Sequence, residues 1–378
     1  MFVTAGGERG GAETVLLTLL RRLDRSRFQP LVCCLSLGPI QSELARLDGV
    51  EVFTAPVPAF RHARAGWRAV RRLRALIGDR KVALVHANGT GAHLYAGVAA
   101  RLAGVPAIFH AHDLLERGWS GQGLVNRLAL RVPASAVVTP SRFLAASLEG
   151  RTRAAVVAIA NGLEEPRSYG RPTVTTETAP APKTVAWCAR LQHWKGAHVF
   201  LEAAARVRRT RPDTRFVVIG GSLFGLEPGY DAELRRRAAA EDLAGAVRFT
   251  GHVDDPTPEL AGADLVVHSA IRPEPFGLVI VEAMFLGRAV VAAGVGGPAE
   301  IVEPGVSGML VAPDDPVALA DAVDQLLGSD ARRAAMGEAG RARARALFGA
   351  ATMARRFESL YLQVLASGAR SGERRDVA

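Results

Sequence analysis

The sequence is poor in cysteine, lysine and aromatic residues. Its 378 residues include three cysteines, and aromatic side chains make up 6% of the chain. Three cysteines are too few for a disulfide framework, and Cys33 and Cys34 are adjacent in an apolar run, which indicates buried, reduced thiols in a cytoplasmic protein. No two cysteines have the spacing of zinc ligands, so no metal site is expected. The first residues lack the basic and apolar segments of a secretory signal, and none is expected.

The positive charge of the chain comes almost entirely from arginine. The formal net charge is +10 at pH 7, yet the only lysines are Lys81, Lys183 and Lys195. Because an arginine bias can follow from genome composition alone, this charge does not by itself identify a partner. No nucleic-acid partner is expected, and the oligomeric state is left open. No Gly-x4-Gly-Lys-Ser/Thr motif is present, which excludes a P-loop nucleotide site.

The most apolar window, residues 274–297, is too interrupted to cross a membrane. A spanning helix needs about 20 apolar residues, whereas this window carries Glu274, Glu282 and Arg288 and ends in a cluster of glycines. Each charge near the bilayer centre would cost about 2.5–3.5 kcal/mol. The window instead predicts a buried helix that begins at about Phe276, followed by a buried strand and a tight turn.

Short β-branched segments alternate with amphipathic helical segments along both halves of the chain. This rhythm predicts an α/β protein with two Rossmann-like, doubly wound domains, each with helices on both faces of a parallel sheet. The predicted strands include Ala83–His86, Ala107–His110, Ala136–Thr139, Thr184–Cys188, Arg215–Ile219, Ala289–Ala293 and Met309–Val311. Only Met1–Thr4 precede the first glycine-rich loop, which implies either a short first strand or a misplaced start.

The domain boundaries follow from composition. Residues 1–165 form the predicted first domain, and the segment 166–183, rich in proline and threonine, is the predicted linker. Residues 184–349 form the predicted second domain. A helix over about 350–366 is expected to pack back on the first domain, and the polar tail 367–378 is expected to be disordered.

The apolar window also carries two carboxylates at a helix start. Glu274 would lie at the helix entrance and Glu282 two turns inside, about 12 Å away along the axis, with free N–H groups between them that suit an anion. A helix-dipole partner and a half-buried structural glutamate would give the same spacing. These residues alone therefore leave both interpretations open.

Residues 274–311 resemble the donor motif of the retaining glycosyltransferases of family 4, which have the GT-B fold with two domains facing a cleft. The resemblance implies that Glu274 contacts the donor sugar and that Glu282 binds the ribose. It also implies that the backbone at Phe276, Gly277 and Leu278 meets the sugar and phosphate groups.

A second motif, residues 188–207, resembles the Arg-Leu…Lys-Gly element of the same family. The resemblance implies that Arg190 and Lys195 neutralise the leaving diphosphate. Lys195 is one of three lysines in an arginine-dominated chain, so a compact ammonium is retained at this position. Ala189 stands where the family usually has glycine, which is a departure at a place where backbone approaches the ligand. By themselves, the two side chains are also consistent with a surface arginine and a helix-start lysine.

The glycine-rich segment 6–16 resembles the first strand-to-helix loop of the family. There, Gly10 and Gly11 would let the backbone approach the donor phosphate or the acceptor. Because Glu8 takes the place of the second glycine, this segment is not a Gly-x-Gly-x-x-Gly fingerprint. The glycines at 294–297 fit a dinucleotide fingerprint loosely, but they follow a motif that already explains them, so NAD is not expected.

Residues 109–115 follow the predicted fifth strand, where the family places a histidine that contacts the transferred sugar. His112, followed by Asp113, fits the family's His-Asp form, and His110 is the alternative. His86 and His93 are expected to be structural or to face the acceptor.

The resemblance implies transfer of a hexosyl group from a nucleoside diphosphate sugar, with retention, to a hydroxyl of an unidentified acceptor such as a glycan, a lipid-linked glycan or a small-molecule natural product. No cofactor is expected, and no metal, because Arg190, Lys195 and a helix N-terminus can neutralise the diphosphate. Two rival hypotheses are a GT-B protein that binds a sugar nucleotide without turning it over, and a GT-B phosphorylase or pseudo-glycosyltransferase.

The segment 60–80 is basic and has Trp67, Val70, Leu73 and Ile77 at helical spacing. One interpretation is a helix with a core-facing apolar stripe and a solvated arginine face. The other is a helix that docks peripherally on an anionic membrane at the inner face, which would suit a lipid-linked acceptor.

Overall fold

The computed structural model of the chain describes residues 1–57, 63–116, 118, 121–166, 182–222 and 227–373. These residues form two compact units. Unit 1 comprises Met1–Leu163 together with the C-terminal segment that starts at Ala350, and unit 2 comprises Glu164–Gly349. Residues 167–181 of the predicted linker lie outside the described residues.

Unit 1 contains strands β1 (Phe2–Thr4), β2 (Leu31–Cys34), β3 (Glu51–Thr54), β4 (Val85–Asn88), β5 (Ala107–His110), β6 (Ala136–Thr139) and β7 (Ala155–Ala158). Its first helices are α1 (Gly11–Arg22), α2 (Pro39–Ala45), α3 (Ala63–Asp79), α4 (Thr90–Leu102), α5 (Gly121–Arg131) and α6 (Arg142–Ser147). The strands form a parallel sheet with the order β3-β2-β1-β4-β5-β6-β7 among the described residues.

Unit 2 contains strands β8 (Thr184–Cys188), β9 (Arg215–Ile219), β10 (Val247–Gly251), β11 (Leu265–His268), β12 (Ala289–Ala293) and β13 (Met309–Val311). Its helices are α7 (Ala197–Thr210), α8 (Tyr230–Ala238), α9 (Thr257–Gly262), α10 (Leu278–Phe285), α11 (Pro298–Ile301), α12 (Pro316–Leu327) and α13 (Asp330–Leu347). This second parallel sheet has the order β10-β9-β8-β11-β12-β13 over the part of the chain that the structure describes.

The last helix, α14 (Ala350–Glu373), packs within unit 1. The backbone N–H of Asp24 donates to the carboxylate of Glu358 over 2.8 Å, and the Tyr361 hydroxyl lies 2.7 Å from Nδ1 of His86. The helix continues to Glu373, into the segment predicted as a tail. The remaining five residues, 374–378, lie outside the described part.

Both sheets confirm the predicted α/β class, and their strand orders locate where a ligand can bind. The order reverses between β1 and β4 in unit 1, and between β8 and β11 in unit 2. In open parallel sheets, the crevice for a ligand opens at such a reversal, outside the carboxyl ends of the strands. The loops after β1 and β4, and those after β8 and β11, are therefore the places to search for a site.

The first strand is short, with three residues, but it is buried and pairs on both sides. Val3 lies opposite Cys33 of β2 and Ala87 of β4. Burial on both faces explains why central strands such as β2 and β12 are continuous apolar runs, since every position of a central parallel strand packs against a helix.

Helix α3 corrects the predicted apolar stripe. Val70, Leu73 and Ile77 are buried, but Trp67 is 54% exposed. The neighbouring Gly66 takes the inner position, where a Cβ atom would lie 2.9 Å from the Tyr95 ring of α4. Close packing of the two helices at this glycine leaves the indole of Trp67 on the outer face.

Candidate active site

Side chains from the loops after β8 and β11 meet at the reversal of the unit 2 sheet. Lys195 Nζ donates to Glu274 Oε1 over 2.5 Å. Nε2 of His268, the last residue of β11, lies 2.7 Å from Glu274 Oε2. The Lys195 and Glu274 side chains are each 13% exposed. This Lys195–Glu274–His268 cluster thus places a carboxylate between a cation and an imidazole in a largely buried setting.

The cluster keeps Glu274 ionised. Burial by itself would raise the pKa of this carboxyl group, but the charge of Lys195 and the hydrogen bond from His268 outweigh burial and hold the pKa well below its usual range. Because a carboxylate only accepts hydrogen bonds, Nε2 of His268 must carry the proton of that contact. Glu274 can therefore accept hydrogen bonds from a ligand, but it has no proton to give at neutral pH.

Lys195 is held by the turn that precedes α7. Residues His193–Lys195 form a single 3₁₀ turn, closed by Gly196 in the left-handed conformation with φ of 74°. The Ile271 N–H donates to the carbonyl of Trp194 over 2.9 Å, which fastens this turn to the segment after β11. The ammonium also lies 4.1 Å from the centre of the Trp194 ring. Contacts on both sides thus fix the position of the cation.

Glu274 is held by the glycine turn after β12. Its backbone pairs with Gly296 in an isolated parallel bridge, and its carbonyl accepts from the Gly297 N–H over 2.8 Å. A Cβ atom at Gly296 would lie 2.5 Å from the Glu274 carbonyl oxygen. The glycine cluster is therefore explained by close backbone packing behind the carboxylate, as expected of a turn that positions a site residue.

The helix of the apolar window begins two residues later than predicted. Gly277, with φ of 110°, precedes α10, which starts at Leu278, while the Phe276 side chain is buried and packs on Phe348. Phe276 and Gly277 can therefore offer backbone to a ligand, and Leu278 begins the run of free N–H groups. Glu282 consequently lies one turn inside α10, not two, and the helical rise does not give its distance from Glu274, because Glu274 lies outside the helix.

Glu282 and Arg190 belong to the same edge of the sheet. Burial, and after it the carboxylate of the half-buried Glu282, raises the pKa of the thiol of Cys188, the last residue of β8, so Glu282 lies near the end of that strand. Arg190 is exposed two residues after β8. The structure thus brings Lys195 and Glu274 into contact, places Arg190 in the loop after β8, and places Glu282 on α10 near the end of β8.

The predicted residues of the first half lie in unit 1, after β1 and β5. The Gly10 N–H donates to the Glu13 carboxylate over 3.2 Å at the start of α1, and Gly11 is exposed. The Glu13 carboxylate therefore already occupies one of the N–H groups that the glycine loop offers.

His110 and His112 differ in their surroundings. His110 is buried, and its Nδ1 lies 3.2 Å from Nε2 of His86, whose Nδ1 contacts the Tyr361 hydroxyl. His112 is half-buried, its ring centre lies 3.9 Å from that of His110, and Asp113 is exposed. Burial lowers the pKa of His112 to about 4 and that of His86 to about 3, so both rings are neutral at pH 7.

Two residues of these clusters were missed by the sequence analysis. His268 ends β11, and Asn88, whose Oδ1 lies 2.7 Å from His112 Nε2, ends β4. A polar residue at the carboxyl end of a buried parallel strand is a signal that could have found both. Asn88 was overlooked because β4 was predicted to end at His86, two residues too early.

His93 is structural, as one of its predicted alternatives states. Its ring stacks on Phe109 with the centres 4.4 Å apart.

Among the described residues, no group of three or more histidine, cysteine or acidic side chains could hold a metal ion. Within the same residues, no helix combines the length and the apolarity that a membrane crossing requires.

Each half of the chain matches the sequence model of a protein family. The family model described as Glycosyltransferase Family 4 matches residues 9–167, and the model described as Glycosyl transferases group 1 matches residues 175–343. A D-inositol 3-phosphate glycosyltransferase of Corynebacterium urealyticum is 42% identical over 166 residues, which are 41% of this chain and 37% of the relative. A glycogen synthase of Mycobacterium tuberculosis is 31% identical over 230 residues, 60% of this chain and 52% of the relative. The alignments thus span about half or less of these relatives.

Comparison with solved structures covers nearly the whole chain. The crystal structure of Anabaena Alr3699/HepE in complex with UDP and glucose has a TM-score of 0.81 at 28% identity, over 95% of this chain and 98% of that one. Sucrose-phosphate synthase from Thermosynechococcus elongatus shares the fold, with a TM-score of 0.77 at 22% identity over 97% and 99% of the two chains. Since both halves match and the fold is shared, the chain belongs to the group 1 and family 4 glycosyltransferases and has the GT-B fold.

Proposed function

We propose that the chain transfers a hexosyl group from a nucleoside diphosphate sugar to a hydroxyl group of an acceptor, with retention of configuration. The Lys195–Glu274–His268 cluster carries this proposal, because it combines a cation for phosphate with a carboxylate that is ionised at neutral pH and can accept from sugar hydroxyls. It lies at the reversal of the unit 2 sheet, where ligands of such sheets bind.

Lys195 and Arg190 neutralise the diphosphate. An ammonium has three N–H donors, and the contact with Glu274 uses one of them. The other two can face phosphate oxygens, while the first N–H groups of α10 add a positive dipole. Neutralisation by these groups would make a divalent metal unnecessary.

Glu274 binds the sugar and Glu282 binds the ribose. Since the pKa of Glu274 is held well below its usual range, this side chain accepts from hydroxyl groups and does not act as a general acid. The acceptor hydroxyl attacks C1 of the sugar from the side of the leaving group. The new C1–O bond forms as the bond from C1 to the phosphate oxygen breaks, and the hydroxyl proton passes to a diphosphate oxygen. Such a step requires no protein base.

The first test is a thermal-shift panel of UDP, GDP, ADP and dTDP sugars. UDP is the leading candidate because Alr3699/HepE was crystallised with UDP and glucose. A ligand at 100 times its dissociation constant stabilises a protein by about 2.7 kcal/mol. Glu241→Ala, an exposed substitution in unit 2, is the matched control for changes at Glu274 and Glu282. A panel in which no nucleotide shifts the melting temperature would overturn the proposal.

Turnover separates an enzyme from a binding protein. Release of nucleoside diphosphate that depends on an acceptor extract is the expected result. A thermal shift with no such release would instead favour a protein that binds a sugar nucleotide without transferring the sugar. Formation of a sugar phosphate or of a bond other than a glycosidic bond would favour a phosphorylase or a pseudo-glycosyltransferase.

We further propose that the acceptor is presented at an anionic membrane, on which α3 docks. Arg68, Arg71, Arg72 and Arg74 are exposed on this helix, and Trp67 is 54% exposed beside them. The opposite face of α3 is buried in unit 1, so all four arginines lie on the one face of the helix that is exposed to solvent. Each basic residue near such a surface contributes about 1 kcal/mol, and an indole suits the boundary between headgroups and acyl chains.

Vesicle flotation tests this docking surface. Neutralising Arg68, Arg71, Arg72 and Arg74 with glutamine should abolish binding to vesicles that contain phosphatidylserine at low salt. The control removes the same charge from unit 2, through glutamine at the exposed Arg206, Arg209, Arg236 and Arg332. Equal binding of the two variants would contradict docking through α3.

A further inference from the structure

Asn88 links the start of α1 to the ring of His112. Its side-chain Nδ2 lies 3.4 Å from the carbonyl oxygen of Ala12, and its Oδ1 lies 2.7 Å from Nε2 of His112. Asn88 is 4% exposed. The side chain therefore has two fixed partners and little access to water.

The two partners determine how the amide is oriented. The Ala12 carbonyl can only accept a hydrogen bond, so it must face the NH₂ group of Asn88. Rotating the amide by half a turn would place two oxygens against each other at Ala12, at a buried position where neither is hydrated. The oxygen of the amide is thus left to face His112.

The orientation of the amide in turn fixes the proton on His112. An amide oxygen has no proton to donate, so the contact requires a proton on Nε2 of the imidazole. The neutral ring carries one proton, and burial favours the neutral ring by lowering its pKa to about 4. Nδ1 of His112 is then the nitrogen with the free lone pair.

We propose that Asn88 is a positioning residue that fixes His112 in the Nε2–H tautomer, so that Nδ1 accepts a hydrogen bond from a hydroxyl group of the ligand. The identity of that ligand as a sugar rests on the proposed function, whereas the tautomer does not. A phosphate or carboxylate oxygen would be repelled by the same lone pair. His112 therefore selects a hydroxyl and takes no part in holding the diphosphate.

The neighbouring rings do not impose this tautomer. The closest titratable neighbour in ring contact is His110, whose Nδ1 faces His86. Burial lowers the pKa of both His110 and His86, so neither presents a positive charge to His112. The contact to Asn88 is what distinguishes the two nitrogens of His112.

Long-range ¹H–¹⁵N NMR of the histidine rings tests the proposal in the free protein. The chain has nine histidines, and the signals of His112 are those lost in His112→Gln. At pH 7.5 the wild type is expected to show a protonated Nε2 and an unprotonated Nδ1. Asn88→Ala should give averaged signals of both tautomers. A protonated Nδ1 in the wild type, or an unchanged tautomer in Asn88→Ala, would overturn the proposal.

Binding measurements test whether Asn88 affects how the protein binds a sugar nucleotide. Asn88→Ala should weaken binding of the sugar nucleotide by about threefold to tenfold, the range of an uncharged hydrogen bond, and leave the bare nucleoside diphosphate unaffected. Equal losses for both ligands would contradict a contact to the sugar. If no sugar nucleotide binds at all, the proposed function fails, yet the NMR spectra still decide the tautomer.

Discussion

Replacing Lys195 with methionine should destabilise the protein, because it leaves the Glu274 carboxylate without its cation. Both side chains are 13% exposed, so solvent compensates for little of the lost charge. Removing one partner of a buried ion pair costs about 3–5 kcal/mol. We expect the lower end of that range, since His268 still donates to the carboxylate. A loss of about 3 kcal/mol lowers the melting temperature of a domain of this size by about 6–12 °C.

The same substitution at another lysine is the control. Lys183 pairs with Asp330, whose side chain is 75% exposed, and lies 3.8 Å from the less exposed Asp264, which keeps Arg333 as a second cation. Lys183→Met should therefore cost no more than about 1 kcal/mol. Combining Lys195→Met with Glu274→Gln removes both charges of the buried pair, and we expect it to recover at least about 2 kcal/mol of the stability lost in Lys195→Met.

The pH dependence of the stability lost in Lys195→Met provides a second test of the ion pair. In the wild type the folded-state pKa of Glu274 lies below its unfolded value of about 4.3, so this carboxylate stabilises the fold above that pH and loses the effect as the pH falls. In Lys195→Met the folded-state pKa should rise above the unfolded value. The difference in the free energy of unfolding between the wild type and Lys195→Met should then shrink as the pH falls from about 7 to about 4. Denaturation curves with a pH-independent difference, or with a melting temperature unchanged by Lys195→Met, would refute the reasoning.

Four further predictions concern the sites and their supports. Glu282→Ala should weaken nucleoside diphosphate binding at least tenfold, whereas Glu241→Ala should not; an intact thermal shift would remove the ribose assignment. Tyr361→Phe should lower stability by about 1–3 kcal/mol, because Nδ1 of the buried His86 loses its partner, and an unchanged urea midpoint would contradict this. Burial raises the pKa of Cys33 to about 12 and of Cys34 to about 11, so peptide mapping after DTNB treatment of the native protein at pH 8 should find both unmodified. Transfer activity should survive EDTA, and its recovery by added Mg²⁺ after a loss would contradict a metal-free mechanism.

The long buried strands were predictable because their pattern is strong. Ala107–His110, Thr184–Cys188 and Ala289–Ala293 are confirmed as β5, β8 and β12 with the predicted bounds. Each is a run of apolar residues between polar turns, and in a parallel sheet covered on both faces such runs have few alternatives.

Three of the helices were not predictable in the same way. Helices α2, α5 and α9 were absent from the prediction, and all three begin beside glycine or proline in segments without a long apolar period. Their helical state depends on packing in the folded unit, which local propensity does not encode. The spacing of Trp67 fits the core-facing interpretation of the apolar stripe, but Gly66 takes the inner position and Trp67 is exposed.

The charged residues of the site could be predicted from the sequence, but two residues that hydrogen-bond to predicted site residues could not. Glu274 and Lys195 lie 79 residues apart in sequence, and the family motifs, not their spacing, suggested that they act together. His268 and Asn88 carry no motif, and their roles depend on which strands are neighbours in the sheet. The strand order becomes visible only in the folded protein.

The anomeric configuration of the product tests the central claim most directly. The protein is incubated with the sugar nucleotide that the thermal-shift panel selects, together with an acceptor extract, and the new anomeric proton is observed by NMR early in the reaction. Retention predicts that an α-linked donor such as UDP-glucose gives an α-linked product with release of the nucleoside diphosphate. A β-linked product, or no transfer from any donor of the panel, would contradict the account.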